Sequence, residues 1–295
     1  MIKVKVPATS ANIGPGFDCL GIAFELYNYF YVEEISNGLQ IEGCNEEFNN
    51  ENNLVYYSMM KCFKKLGYTP KGIRIKMECN IPISRGLGSS AACILGGIIS
   101  ANEIAKGNLS MKDILHIATE IEGHPDNVAP ALLGGMVVSV CQNNVPYYSK
   151  INISKELKFQ ALIPDFKLST IKAREVLPKT IKYEDGVFNV GRVSMLISSF
   201  INGDFDLLSI ALNDRLHQLY RSKLIRNYDD ITNKCRELGA LGTFISGSGP
   251  TIMAITHEKT KVYVNKIKDY LDTLDRKWLV KSLEVDFCGS RIKKY

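Results

Sequence analysis

The strongest local constraint in the chain lies over residues 73–92. Ile73, Ile75, Met77 and Cys79 alternate with Arg74, Lys76 and Glu78, the period of a half-buried strand. The chain then turns through Pro82-Ile-Ser-Arg85-Gly86-Leu87-Gly88-Ser89-Ser90-Ala91-Ala92, and a helix of small residues over 91–105 follows. Two glycines between a strand and a helix let backbone N–H groups converge on the positive end of the helix, which makes a seat for phosphate. Ser89 and Ser90 add hydroxyls that can take a phosphate oxygen or a bound magnesium, while Ala91 and Ala92 keep the first turn slim. A plain turn with a Ser cap is the competing structural reading. A dinucleotide fingerprint also fits through Gly86, Gly88 and Ala91, but the acidic residue about 20 positions on should end a second strand, and Glu103 lies in the same helix. A Walker A loop is excluded, because the chain holds no Gly-Lys-[Ser/Thr].

Two α+β halves flank a break near residues 142–156, giving domains over 1–152 and 153–295. In the first half, strands are expected at 2–6 and 22–35, with a Ser/Asn/Gly-rich loop over 9–21. A helix over 54–66 stops at Gly67, and Ser110 with Asp113 forms a capping box for a helix reaching Glu122. Residues 127–149 carry no charge, but Pro130, Gly134-Gly135 and Pro146 interrupt them, so they read as a buried loop, a strand over 136–140 and a turn. In the second half, strands are expected at 159–163, 243–246, 251–255 and 278–287, and helices near 190–201, 204–213, 228–238 and 259–274. The basic tail at Arg291, Lys293 and Lys294 reads as a solvated terminus.

Composition narrows the function classes. At 295 residues, 45% hydrophobic and 23% charged, the chain is not a disordered, collagenous or disulfide-scaffold protein. A net charge of +5 allows an anionic ligand without arguing for nucleic acid. No two of the eight cysteines are spaced as a metal clip. The N-terminus alternates like a strand and lacks the apolar run of a signal peptide, so a cytoplasmic protein with reduced thiols and no membrane association is expected.

The segment Pro82 to Ala92 resembles the ATP motif of the GHMP small-molecule kinases. Two further blocks agree in order and spacing: Val6-Pro-Ala-Thr-Ser-Ala-Asn12-Ile-Gly-Pro-Gly-Phe-Asp18-Cys-Leu-Gly, and Ile245-Ser-Gly247-Ser-Gly249-Pro-Thr251. The first block, with His124-Pro-Asp126-Asn127-Val-Ala-Pro-Ala, is similar to the branch of that family acting on L-homoserine. The resemblance implies an α+β fold with an N-terminal ribosomal-protein-S5-like domain, a C-terminal ferredoxin-like domain and a site between them. It implies ATP and Mg2+ as cofactors, L-homoserine as substrate, O-phospho-L-homoserine as product on the route to threonine, and a homodimer as the common assembly. Another kinase of the family, of mevalonate type, and a non-catalytic nucleotide-binding protein on the same fold are the alternatives.

The same resemblance assigns roles. Pro82, Arg85, Gly86, Leu87, Gly88, Ser89, Ser90, Ala91 and Ala92 would hold ATP, with Asn53 near the adenine. Asn12 and Asp18 would belong to the amino-acid pocket, with Asp18 the anion for the substrate ammonium, and Arg174 and Arg221 would meet the carboxylate through planar two-point bonding. Thr170, His124 and Gly247 would complete that pocket. Glu120 and Ser90 would bind the metal, with Glu122 the competing carboxylate, since helical periodicity alone does not choose between them. Asn127 would orient the hydroxyl without acting as a base, with Asp126 beside it as the group that could be nominated for proton transfer.

Overall fold

The computed structural model describes residues 1–257 and 262–295. The first half runs β1 (Ile2–Ala11), β2 (Leu20–Glu34), β3 (Gly38–Glu42), α1 (Leu54–Leu66), β4 (Gly72–Cys79), α2 (Ser89–Ala105), α3 (Met111–Glu122), α4 (Pro125–Leu133), β5 (Met136–Gln142) and β6 (Val145–Ile151). The second runs β7 (Leu157–Pro164), α5 (Thr170–Glu175), α6 (Tyr183–Asn202), α7 (Leu208–Ala211), α8 (Gln218–Arg221), α9 (Tyr228–Glu237), β8 (Gly242–Ile245), β9 (Ile252–His257), α10 (Tyr263–Leu271), β10 (Trp278–Leu283) and β11 (Arg291–Lys294). No helix of the described residues is long and apolar enough to cross a membrane.

One sheet has the order β11-β1-β2-β4-β3, with β5 on β2 and β6 on β5; only β3 and β4 are parallel among these pairs. The other is the antiparallel sheet β10-β7-β9-β8. Taken in chain order, its strands lie fourth, first, third, second, with helices between β7 and β8 and α10 between β9 and β10, which is the ferredoxin-like arrangement the resemblance implies. The main buried core is continuous across the halves: Phe30, Phe63 and Leu95 belong to it, as do Phe159, Phe200 and Phe244. Phe24 meets Phe159 between the two sheets, with ring centroids 5.2 Å apart.

Local signals account for most boundaries. Asn53 caps α1 by accepting from the Val55 and Tyr56 N–H groups, and Gly67 ends it in the left-handed conformation. Ser110 and Asp113 form the expected capping box on α3.

Several expectations are corrected. The buried segment after Asn127 is helical: α4 starts with Pro125 in its first turn, where the missing N–H is harmless. Residues 145–151 form a strand rather than a turn, because β6 is an edge strand that tolerates Pro146 and is joined to β5 by Asn143 and Asn144 at positive φ. The basic tail is exposed, as expected, but it is ordered as β11, whose register pairs Arg291 with Lys5 of β1, so residues from the 153–295 half complete the first sheet. The helix expected near 190–201 starts at Tyr183, and residues 204–213 break into a 3-10 turn and α7. Of the helix expected over 259–274, residues 259–261 lie outside the described residues, and α10 covers Tyr263–Leu271.

Helix α4 rides directly on β2, where a Cβ on Gly21 would collide with the Asp126 carbonyl oxygen and Pro130. Gly21→Ala is expected to lower stability by about 1–3 kcal/mol through overpacking, measured by urea unfolding. Gly191→Ala is the control: it faces open space on α6 and is expected to be neutral or slightly stabilising.

Candidate active site

The loop between β4 and α2 owes its shape to positive φ at Ser84, Gly86 and Gly88. A side chain at Gly86 would strike the Ser246 carbonyl oxygen, and one at Gly88 would strike the Thr9 hydroxyl. The Ser246 hydroxyl donates to the Gly86 carbonyl at 2.6 Å, and Thr9 N–H donates to the Leu87 carbonyl at 3.2 Å. Helix α2 then begins with no side-chain cap. Its leading N–H groups are the orphan donors of a helix start, beside the hydroxyls of Ser89 and Ser90. Ala91 and Ala92 are fully buried behind them and serve by their small size.

A cleft of about 830 Å³ opens over this loop and is lined from both halves of the chain. Pro82, Arg85, Gly86, Leu87, Gly88, Ser89 and Ser90 line it, as does Asn53 at the far end. Two of these residues already have their polar groups engaged. The Arg85 guanidinium donates to the carbonyls of Ile83, Pro164 and Asp165, so it is a strut between the loop and the end of β7. Asn53 caps α1 and donates from Nδ2 to the Phe48 carbonyl at 3.0 Å, so it shapes the wall rather than offering an unused donor.

The α3–α4 corner brings the acidic groups in. Glu120, expected to hold the metal, does not line the cleft, and its carboxylate is paired with Lys65 Nζ at 2.6 Å and His116 Nε2 at 3.0 Å. Glu122, two residues on and therefore about 200° round the helix, lines the cleft and accepts from the Ser90 hydroxyl at 2.7 Å. Burial pushes the Glu122 carboxyl above its usual range, and it has no cationic partner among the described residues. A half-buried carboxylate beside a hydroxyl and a helix start is a hard oxygen donor set that fits Mg2+. Among the described residues no group of three acidic, His or Cys side chains converges, so such an ion would rest largely on phosphate oxygens and water.

Asn127 accepts from the Thr9 hydroxyl at 2.8 Å through Oδ1, which turns its Nδ2 donor to other partners. Asp126 lines the cleft and is 5% exposed. Burial, reinforced by Asp18 and Glu122, raises its pKa to about 7.

The other end of the cleft carries paired charges. Asn12 donates from Nδ2 to the Gly247 carbonyl at 2.7 Å and accepts the Asp18 N–H at 3.0 Å, which sets the 12–18 loop. Arg174 Nη2 donates to Asp18 Oδ1 at 2.8 Å, and His124 Nδ1 lies 3.8 Å from the other carboxylate oxygen. Burial lowers the His124 pKa below the ordinary histidine value, against the pull of Asp18. Arg221 is 2% exposed, and its Nη1 donates to the same Gly247 carbonyl at 3.1 Å. Burial and the neighbouring Arg174 bring its pKa down to about 10. The Thr170 hydroxyl lies 3.5 Å from that of Ser248. Asp18, His124, Arg174, Arg221, Thr170 and Gly247 therefore share one end of the cleft.

Sequence reasoning left Thr9, Phe17 and Ser248 without a role. Thr9 and Phe17 stand inside the first block, but nothing in their residue type announces a contact with Asn127 or with two guanidinium groups. The Phe17 ring centroid lies 5.7 Å from Arg174 Cζ and 5.1 Å from Arg221 Cζ.

Residues 53–135 match the GHMP kinases N terminal domain, and residues 196–274 match the GHMP kinases C terminal domain. The chain is 57% identical over 290 residues to the homoserine kinase of Clostridium botulinum (strain Okra / Type B1), covering 98% of each chain. It superposes on the crystal structure of homoserine kinase from Cytophaga hutchinsonii with a TM-score of 0.88 at 30% identity, covering 99% of this chain and 97% of that one. The structure of L. major mevalonate kinase in complex with R-mevalonate gives a TM-score of 0.74 at 16% identity, covering 96% and 95%, a likeness of fold alone.

The Asp126 carboxyl supplies a pH test. Its folded pKa lies above the unfolded carboxylate value, so the folded state is favoured while the group is protonated and loses stability as pH rises towards about 7. The stability of Asp126→Asn relative to wild type is expected to improve steadily between about pH 4 and pH 7, measured by chemical unfolding across that range.

Proposed function

The chain belongs to the GHMP kinase family, and from that premise we propose that its cleft transfers the γ-phosphoryl group of ATP to the side-chain hydroxyl of L-homoserine. The product is O-phospho-L-homoserine, an intermediate in threonine biosynthesis. The observation that carries the substrate assignment is the charge layout beside the phosphate loop. A carboxylate at Asp18 and guanidinium groups at Arg174 and Arg221 match a zwitterion's ammonium and carboxylate. Arg174 and Asp18 bond to each other at 2.8 Å, so a zwitterion entering there exchanges one ion pair for two.

Phosphoryl transfer needs alignment and charge neutralisation more than covalent chemistry. The N–H groups at the start of α2 and the hydroxyls of Ser89 and Ser90 receive the phosphates. Glu122 and Ser90 would hold Mg2+, which when bound neutralises charge on the phosphate oxygens. Asn127, its Oδ1 occupied by Thr9, presents Nδ2 to the acceptor hydroxyl and orients it. An amide takes no proton near neutral pH, so its contribution is positional. Asp126 is the adjacent carboxyl with a pKa near the working range, about 7. All eight cysteines are unpaired thiols, which supports a cytoplasmic place of work; a homodimer remains our inference from the family.

The protein with Mg-ATP is expected to phosphorylate L-homoserine far faster than mevalonate or galactose, by coupled ADP release; a clear preference for another alcohol would overturn the substrate assignment. Glu122→Gln is expected to lower kcat by about 100-fold or more, while Glu120→Gln stays within about twofold. The reverse ranking would return the metal role to Glu120.

A further inference from the structure

Arg221 is held from inside the protein by a residue that has no part in the reading above. His217 is completely buried just before α8. Its ring stacks on Phe17 with centroids 5.1 Å apart and planes 22° from parallel. Nε2 lies 2.8 Å from the Gly14 carbonyl oxygen, which can only accept, so Nε2 carries the proton. Nδ1 is then a lone pair, and it lies 3.4 Å from Arg221 Nη1, which can only donate. Both contacts require the same neutral tautomer. Burial pushes the His217 pKa below the ordinary value, and a second proton would set an imidazolium against a buried guanidinium.

Asp214 does not compete for the ring. Its Oδ2 accepts the backbone N–H groups of His217 at 2.8 Å and Gln218 at 2.6 Å, and lies 3.7 Å from Nε2. Its Oδ1 accepts from Asn189 Nδ2 at 2.7 Å and from Leu216 N–H at 3.0 Å. Arg221 in turn donates from Nε to the Ala173 carbonyl at 3.0 Å and from Nη1 to Gly247, which leaves Nη2 without a protein partner among the described residues.

Gly14 lies inside the loop that carries Asn12 and Asp18, while Arg221 is the cation deepest in the cleft wall. We propose that His217 is a positioning residue for amino-acid recognition: as a neutral Nε2–H imidazole it ties the Arg221 guanidinium to the 12–18 loop, so that the substrate's carboxylate and ammonium meet charges already spaced for them. The inference rests on the reading that Arg221 and Asp18 bind the zwitterion. Preorganisation of this kind acts on binding of the amino acid and leaves the nucleotide step alone.

Two substitutions separate the bonds. Gln in place of His217 can keep a donor towards Gly14 but loses the acceptor for Arg221, whereas Asn places an acceptor near the Nδ1 position. His217→Gln is expected to raise KM for homoserine by about tenfold, with kcat and KM for ATP within about twofold, and His217→Asn to recover part of the loss. The competitive inhibition constant of 3-aminopropan-1-ol, which has no carboxylate, is expected to be unchanged in His217→Gln, where the bond to Gly14 is kept. An unchanged homoserine KM, an equal rise in the ATP KM, or an equal loss for the aminoalcohol would overturn the inference. Nitrogen-15 spectra of wild type give a readout that needs no folded variant at 217, since replacing His116, His124 and His257 in turn assigns the remaining ring. A neutral Nε2–H signal between about pH 6 and 8 is expected, and an Nδ1–H or doubly protonated ring would overturn the proposal. Failure of the function reading would differ from either result, because wild type itself would then leave homoserine unphosphorylated.

Discussion

The turn at residues 84–90 is gripped from both halves of the chain, and the rest of the site is arranged around that grip. The Ser246 hydroxyl holds the Gly86 carbonyl, Thr9 holds the Leu87 carbonyl, and Arg85 reaches across to the end of β7. These bonds engage carbonyl oxygens and the Arg85 side chain, and α2 has no side-chain cap, so the N–H groups at its start stay available to a ligand. The glycines are needed for closeness as much as for positive φ, since a side chain at Gly86 would push against the backbone of Ser246 and Gly249 in the second half, and one at Gly88 against Thr9 of β1.

Around that turn the charges are sorted by depth and by end. Glu122 stands beside Ser90 at the start of α2. Asp18, Arg174 and Arg221 occupy the other end, and Asn127 and Asp126 lie on the α4 turn nearby. The Gly247 carbonyl accepts from both Asn12 and Arg221, so the turn that supports the glycine loop also sets the end of the cleft that carries Asp18 and the two arginines. Phe17 covers both guanidinium groups with one ring, and cation–π contacts of this kind gain strength where water is excluded.

Much of this was legible in the residues. The strand 73–79, the glycine turn, the capping box of α3 and the two-domain α+β fold follow from periodicity, turn chemistry and the three family blocks. The same reading stopped where packing outvotes pattern. Glu120 and Glu122 are equivalent as letters, and only the packing of α3 against its neighbours turns Glu122 to Ser90 and Glu120 to Lys65. The loop expected after Asn127 is helical because α4 is buried on β2, and β11 is ordered because β1 offers it an unpaired edge.

The sequence by itself determined that a strand would turn into a small-residue helix through glycines, because that follows from local backbone freedom and turn chemistry; the pairing of Asp18 with Arg174 and Arg221 for a zwitterion came only from the family resemblance. Which carboxylate of α3 meets Ser90, that Arg85 is a strut, and that His217 touches both Gly14 and Arg221 were decided only by the tertiary structure. Those facts depend on distances between residues up to more than 200 positions apart, such as His217 and Gly14 with a separation of 203, and no local pattern encodes them.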